Sequence, residues 1–277
     1  MINGFLLRKK ITLQHHNTTT LQHYNATTPQ HTLHMKNIIV LFAICFSAST
    51  IFGQITDPVA TEVWKPVPRA VASPSDKFVP SDAVVLFDGK DLNSWKSTKS
   101  DDAAQWTTDG DAMTVKPGTG NIETKQNFGS IQLHIEWRSP EKVESEGQGR
   151  GNSGVFFQKK YEVQILDNYE NKTYSNGQAG SVYKQHIPLV NACRAPGEWQ
   201  SYDIIFMAPE FNADGILVRP GYLTVFHNGV LIQNHVEIKG TTEYIGLPKN
   251  IAHGNAPIML QDHGNLVSYR NIWVRKL

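Results

Sequence analysis

The chain of 277 residues carries 26 basic and 25 acidic side chains, and 18% of its residues are charged. No basic run stands out, which argues against nucleic acid and anionic membranes as partners. Two cysteines cannot make a disulfide-rich scaffold, so the fold has to rest on a hydrophobic core.

The N-terminal segments are typical of sequence that precedes a folded domain. Residues 11–34 are rich in Thr, His, Asn and Gln, so we expect 1–34 to be a disordered or spurious extension. From Met35, a lysine, an apolar run of about 15 residues and then small residues follow one another, as in a secretory signal peptide. The pattern predicts a signal over 35–53, cleavage near Gln54 and an exported protein, periplasmic or extracellular, without a membrane anchor after cleavage.

Residues 54–81 are rich in proline and lack clean periodicity, which is typical of a linker or an arm lying on a domain. From residue 82 onward, short apolar runs alternate with turn dipeptides such as Asp109-Gly110 and Asn228-Gly229. The segment "IQLHIEWR" alternates strictly between apolar and polar residues, as a half-buried strand does. No long helical period is seen. These signals predict an all-β domain over 82–277, an antiparallel β-sandwich or jelly roll.

The stretch "YEVQILD" contains the first candidate site residues. Its apolar side chains would point to one face of a strand, and Glu162 and Gln164 to the other. A bulge near Leu166 would swing Asp167 to the same side, and bulges often re-aim side chains beside active sites. Two carboxyl groups in different environments could then divide the acid and base roles. A solvent-facing strand followed by a capped turn explains the pattern equally well.

A second polar group lies toward the C-terminal end, in "PIMLQDHGNLVSYR". Gln261 and His263 would share one side of a short strand, with Arg270 in the next strand. Amides and guanidinium groups supply the directional donors that sugar hydroxyls and oxyanions require. A lone histidine is more often a structural hydrogen-bonding residue than a catalytic one, and His263 is open to both interpretations.

Further polar residues have two interpretations each. Glu136 and Arg138 lie on the polar face of their strand, where they could line a cleft or pair on an outer surface. Lys184 would lie in a loop over the cleft or in solvent. A divalent metal ion is a candidate cofactor, with Glu136, Asp262 and His263 as ligands, although no dedicated ligand spacing is present.

The order of the motifs "LFDGKDLNSW", "GNSGVFF", "YEVQILDN", "GEWQSYDI" and "PIMLQDHGNLVSYRNIWVRKL" resembles the 3-keto-disaccharide hydrolase family over residues 82–277. The resemblance implies a concanavalin A-like jelly roll. It also implies cleavage of 3-keto-glucosides or 3-keto-disaccharides, by removal of the C2 proton, loss of the aglycone from C1 and addition of water. Such a path needs a base, an acid and a group that stabilises the enolate oxygen.

Transferred to this chain, the resemblance implies Glu162 and Asp167 as acid and base, with His263 as a further base or oxyanion partner. The side chains that would bind the sugar are Gln164, Asn152, Gln261, Arg270, Glu136, Arg138 and Lys184. The sequence "ExQxxD" resembles the "ExDxxE" strand of laminarinase-type glycosidases, but it has Gln164 in place of the middle Asp and Asp167 in place of the final Glu. This difference weakens the case for direct nucleophilic catalysis.

Two other classes of function compete with an enzyme. The same fold serves lectins, so a non-catalytic sugar-binding module is the main alternative, and a structural or adhesion domain is a third. A lectin would show an aromatic platform with few acids, whereas an enzyme would show carboxyl groups converging in a cleft. A sugar is the expected partner in both of the first two classes.

Overall fold

The computed structural model describes residues 56–72 and 79–277. Residues 56–68 belong to one unit, in which a short 3-10 helix spans Pro58–Thr61, and Arg69–Leu277 form a second unit. The predicted extension and signal peptide lie outside the described residues, as do parts of the predicted arm. No helix within the described ranges is long and apolar enough to cross a membrane.

Short strands dominate the second unit, with two 3-10 turns at Gly147–Gly149 and Ser175–Gly177. In chain order the strands are β1 (Val84–Phe87), β2 (Trp95–Ser97), β3 (Thr107–Asp109), β4 (Ala112–Thr114), β5 (Ile122–Thr124), β6 (Ile131–Arg138), β7 (Ser153–Phe157), β8 (Tyr161–Ile165), β9 (Gln200–Met207), β10 (Glu210–Phe211), β11 (Leu217–Arg219), β12 (Tyr222–His227), β13 (Val230–Glu237), β14 (Met259–Leu260) and β15 (Ser268–Lys276).

The strands form two main antiparallel sheets. The larger sheet has eight strands in the order β13-β12-β9-β6-β15-β4-β3, with β1 also paired to β15. The smaller sheet has five strands in the order β2-β5-β14-β7-β8, and β10 pairs with β11 separately. This architecture confirms the predicted all-β fold, an antiparallel sandwich of the jelly-roll type.

The hydrophobic core lies between the inner faces of the two sheets. In β6 the apolar residues are buried and the polar residues between them are half-buried, as the strict alternation predicts. Polar contacts also join the two sheets inside the core. The hydroxyl groups of Ser153 on β7 and Tyr269 on β15 lie 2.6 Å apart, and the hydroxyl of Tyr202 on β9 donates to the carbonyl oxygen of Gln164 on β8 at 2.8 Å. Burying one large apolar side chain stabilises a fold by about 1.5–3 kcal/mol, so this core accounts for most of the stability.

Tight turns connect neighbouring strands, and one of them lacks glycine. Asn228 and Gly229 between β12 and β13 have φ values of 52° and 79°, as the predicted hairpin requires. The turn between β7 and β8 consists of Gln158 and Lys159, whose φ values are 52° and 60°. Left-handed backbone at residues other than glycine costs roughly 1–2 kcal/mol each. Contacts made by these two side chains therefore have to offset the strain.

The first and last strands of the sandwich domain, β1 and β15, pair with each other. Strand β15 pairs with β6 on one side and with β1 and β4 on the other, so it lies inside the larger sheet. Near its end, Arg275 donates to both carboxylate oxygens of Asp82, from Nε at 2.6 Å and from Nη2 at 2.8 Å. The bidentate pair fastens the residues before β1 to the last strand.

Candidate functional site

A row of five side chains crosses the outer face of the five-stranded sheet, one from each strand. The strand registers place them in the order Lys96, Glu123, Met259, Phe156 and Glu162. Their strand neighbours point into the core, so this row faces away from it. Ionisable groups stand at both ends and two half-buried apolar side chains lie between them. Such a surface suits a ligand with polar edges and an apolar face.

Glu162 is the buried acidic group at one end of this row, with only 4% of its surface exposed. The Gln164 amide nitrogen, oriented as its neighbours require, donates to Oε1 of Glu162 at 3.1 Å and to the carbonyl oxygen of Ser153 at 2.9 Å. Burial raises the pKa of Glu162 to about 8. The carboxyl group is therefore largely protonated at neutral pH and can act as a proton donor.

The backbone around Glu162 is shaped to hold that side chain. A Cβ atom on Gly154 would lie 2.5 Å from Oε1 of Glu162, so the carboxyl group needs a glycine on β7. The amide of Glu162 donates to the hydroxyl oxygen of Thr242 at 3.0 Å, and the carbonyl oxygen of Glu162 accepts from the amide of Tyr183 at 3.1 Å. Segment 180–183 continues this pairing along the edge of β8, through Gln164. The edge strand is thus covered and Glu162 is held on both sides.

Lys184 lies among three tyrosine rings beside the same loop. Its ammonium group is 4.4 Å from the ring centroid of Tyr244, 5.6 Å from that of Tyr174 and 5.7 Å from that of Tyr183. It also donates to the carbonyl oxygen of Tyr244 at 2.5 Å. The cation–π contacts and this hydrogen bond join two loops next to Glu162. Lys184, a predicted sugar-binding residue, is engaged here by protein groups.

Glu123 and Lys159 form a charged pair at the opposite end of the row. Oε2 of Glu123 lies 2.6 Å from the ammonium of Lys159, and Oε1 lies 3.6 Å from that of Lys96. The sequence analysis missed this group because β5 has three residues, too few to show a period, and because Lys159 lies in a turn. The only sequence signal is the polar residue between Ile122 and Thr124.

Asp167 does not join Glu162 and Gln164. Strand β8 ends at Ile165, and the Asp167 carboxylate accepts from Nε of Arg150 at 2.6 Å and from the amide of Tyr169 at 3.1 Å. Leu166, like Ile165 before it, is buried in the core, so the alternation of β8 breaks at the position of the expected bulge. The Asp167 carboxylate is nevertheless bonded to Arg150 and Tyr169 rather than to Glu162 or Gln164.

The other predicted residues on this side of the sandwich have different surroundings. The backbone amide of Gln261 donates to the carbonyl oxygen of Gly154, and the buried Oε1 of its side chain accepts no hydrogen bond within the described residues. Nδ2 of Asn152 donates to the carbonyl oxygen of Gln148 at 2.7 Å, which holds the loop before β7. His263 is exposed in the turn after β14.

Three predicted residues lie on the outer face of the other sheet. Nε of Arg270 donates to Glu136 at 2.6 Å, and the guanidinium groups of Arg138 and Arg270 lie 4.7 Å and 4.2 Å from the ring centroid of Trp199. The pairing of β15 with β6 places this cluster on the opposite side of the sandwich from Glu162. The expectation that Arg270 shares a cleft with Gln164 is therefore corrected. For Glu136 and Arg138, the structure shows the outer-surface alternative.

The candidate metal ligands are not brought together either. Glu136 belongs to the other sheet, and Oδ2 of Asp262 accepts from the amides of Gly118 at 2.9 Å and Gly120 at 3.0 Å. Across residues 56–72 and 79–277, no group of three or more His, Cys, Asp or Glu side chains is arranged to hold an ion. The three candidate ligands therefore do not form the metal site that the sequence left as an alternative.

Comparison with known proteins places the chain in a family. A crystal structure from Parabacteroides distasonis ATCC 8503, provisionally named a glycosyl hydrolase, is 50% identical; the match covers 80% of this chain and 97% of that chain, with a TM-score of 0.77. A second crystal structure from that organism, with the same provisional name, is 20% identical over 70% of this chain and 94% of that chain, with a TM-score of 0.51, and shows a likeness of fold alone.

No curated protein matches the chain. Residues 82–275 match the family described as the 3-keto-alpha-glucoside-1,2-lyase-like domain, which confirms the resemblance seen in the sequence motifs. The chain belongs to this 3-keto-alpha-glucoside-1,2-lyase-like family.

Proposed function

We propose that this protein cleaves glycosides whose sugar ring is already oxidised at C3, by acid–base chemistry on the outer face of the five-stranded sheet. Family membership supports a carbohydrate-active enzyme, and the description of the family supplies the 3-keto-glucoside as the substrate class. One observation supports Glu162 as the acid. Burial raises its pKa to about 8, and the sheet face on which it lies also holds amides and apolar side chains.

The ketone at C3 makes the C2 proton acidic. A base removes this proton, and the electron pair is held as an enolate with the charge on the C3 oxygen. The enolate returns the pair to form a C1–C2 double bond as the C1–O bond breaks. Glu162, protonated before the step, gives its proton to the leaving oxygen. Water then adds to C1, its proton returns to Glu162, and C2 regains a proton from the base.

The rest of the row offers groups for the other tasks. Met259 and Phe156 would support the apolar face of the sugar ring, while Gln164 and Gln261 would meet its hydroxyl groups. Glu123 lies three strands from Glu162, about 14 Å away at roughly 4.8 Å per strand, so it does not reach the same ring as Glu162. Glu123 and the ammonium of Lys159 beside it are candidates to bind the far edge of the substrate.

Replacement of Glu162 by Gln tests the proposal. The amide keeps the size and hydrogen-bonding capacity of the side chain and removes its proton, so turnover of a 3-keto-glucoside should fall by about 10²–10⁴-fold. Binding of the substrate should change little. The wild-type protein should leave the unoxidised parent glucoside intact, because its C2 proton is not acidic.

Glu170→Gln is a matched control, since Glu170 is exposed in a loop and outside the site. It should keep wild-type turnover. Near-normal turnover in Glu162→Gln would remove Glu162 from the mechanism. A lectin predicts no turnover in any of these proteins, with sugar binding retained.

We also propose that the enzyme acts after export, because residues 35–53 have the composition of a secretory signal. N-terminal sequencing of protein recovered from the culture medium or periplasm should begin near Gln54. A secreted chain that still carries residues 11–34 would contradict this.

A further inference from the structure

A cavity of about 210 Å³ lies beyond the end of β8, apart from the row that ends at Glu162. Its walls come from the segments around residues 140–151 and 264–266, and Asp167 lines it. We propose that this cavity is a second binding site, which holds one neutral sugar ring. The choice of a sugar among neutral polyhydroxylated ligands rests on the function proposed above.

The charges around the cavity favour a neutral ligand. Four ionisable side chains line it, and they form two ion pairs: Arg150 with Asp167 at 2.6 Å, and Lys142 with Glu144 at 2.7 Å. The charges therefore cancel in pairs. An anion would gain no uncompensated positive charge here and a cation no uncompensated negative charge, whereas hydroxyl groups can bond to paired charges without a net penalty.

The polar atoms of the wall match the edge of a sugar. Nη1 of Arg150 and Oγ of Ser145 make no hydrogen bond within the described residues, and Nδ2 of Asn265 has only a 3.5 Å contact with the carbonyl oxygen of Gly149. The carboxylate of Asp167, only 3% exposed, accepts two hydrogen bonds and retains further lone pairs. Hydrogen-bond donors and an acceptor therefore lie side by side in the wall. Neighbouring hydroxyl groups of a sugar need both, because each hydroxyl donates and accepts.

The remaining wall is apolar or has no side chain. Val143 and Leu266 line the cavity and are 45% and 54% exposed. A Cβ atom on Gly151 would lie 2.7 Å from that of Ser139, so this part of the wall has to be bare backbone. The volume is below the roughly 300–1,000 Å³ of pockets for drug-sized ligands, which fits a single ring.

The cavity is separate from the cleavage site. None of the five residues in the row lines the cavity. A monosaccharide in the cavity would be held by a different set of groups. Binding there should therefore be independent of turnover and of the oxidation state of the sugar.

Titration of the ¹⁵N-labelled protein with glucose and with maltose, followed by NMR, tests the proposal. The amide signals of Gly149, Gly151 and Gly264, which line the cavity, should shift and saturate with millimolar affinity. Leu266→Trp, which places a large ring at the cavity, should weaken this binding by about tenfold or more. Leu189→Trp, at another leucine that is 64% exposed, is the matched control and should bind as the wild type does.

The same titration on Glu162→Gln separates the two proposals. The cavity shifts should persist in this variant. Cavity shifts in a wild-type protein that shows no turnover of a 3-keto-glucoside would uphold the second site while refuting the proposed function. Turnover of a 3-keto-glucoside by a wild-type protein whose cavity signals do not move with either sugar would overturn the second site alone. Stronger shifts with glucuronate or inorganic phosphate than with glucose would also overturn it.

Discussion

The amide nitrogen of Gln164 donates to Oε1 of Glu162 at 3.1 Å on the buried outer side of β8. An amide can hold a carboxyl group in place without supplying a charge to offset the loss of water. The pKa of Glu162 is raised to about 8 for this reason. A few residues later, Asp167 has a guanidinium group as its partner instead. The two carboxyl groups of "YEVQILD" therefore have different physical roles.

The pH dependence of kcat/KM should report the protonation of Glu162. As a proton donor to the leaving oxygen it has to be protonated, and burial raises its pKa to about 8. We expect kcat/KM for a 3-keto-glucoside to fall as the pH rises through about 8, with this limb lost in the residual activity of Glu162→Gln. A rate that rises through the same range would show that Glu162 acts as the base.

The stability of the fold should also depend on Glu162. Its folded pKa is raised from 4.5 to about 8, so its contribution is complete below pH 4.5 and is lost as the pH rises through about 8. At about 1.4 kcal/mol per pKa unit, the loss is at most about 5 kcal/mol. Glu162→Gln has no such loss, so its free energy of unfolding in urea should exceed that of the wild type increasingly between pH 5 and 8.5. Parallel curves for the two proteins would contradict this prediction.

Replacement of Asp167 should affect stability more than chemistry. The pair with Arg150 is largely buried, with 2% and 14% of the two side chains exposed. Asp167→Ala leaves the guanidinium unpaired and should cost about 3–5 kcal/mol in the free energy of unfolding. Asp167→Asn should be milder and should keep kcat close to that of the wild type. A fall in kcat as large as that of Glu162→Gln, in a folded Asp167→Asn protein, would return Asp167 to the catalytic group.

His134 on the outer face of the larger sheet should stabilise the fold in its charged form. Burial alone would lower the pKa of His134, but the carboxylates of Asp203, hydrogen-bonded at 2.7 Å, and of Glu136, 3.8 Å away, outweigh burial and raise the pKa to about 9. The raised value means that the contribution is complete below about pH 6.5 and is lost as the pH rises through about 9. We expect His134→Gln to cost about 1–3 kcal/mol at pH 6 and clearly less at pH 10, measured as the free energy of unfolding. An equal cost at both values would show that packing against Trp273 is what matters.

Local sequence patterns predicted the strands well. The residues whose positions they did not predict are those placed by pairing between strands that are distant in sequence. The alternation in β6 and the hairpin at Asn228 follow from neighbouring residues, and so does the shared face of Glu162 and Gln164. The position of Arg270 depends on the sheet that β15 joins, which no local period specifies. Glu123 becomes part of the site only through its register with distant strands.

One turn also escaped prediction because its residues do not suit a turn. Gln158 and Lys159 take left-handed backbone conformations that favour glycine or asparagine. The Gln158 side chain donates to the carbonyl oxygen of Phe128, and Lys159 reaches Glu123. These contacts depend on the tertiary fold, so the sequence of the turn alone could not indicate them.

The position of β15 determines when the sandwich can form during synthesis. The larger sheet needs this strand between β6 and its neighbours β1 and β4, yet β15 is the last strand to leave the ribosome. Until then β1 lacks the strand it pairs with, and the nascent chain presents open edges. The larger sheet cannot be completed before residues 268–276 have been synthesised. The sandwich therefore acquires its resistance to proteases only once this segment is in place.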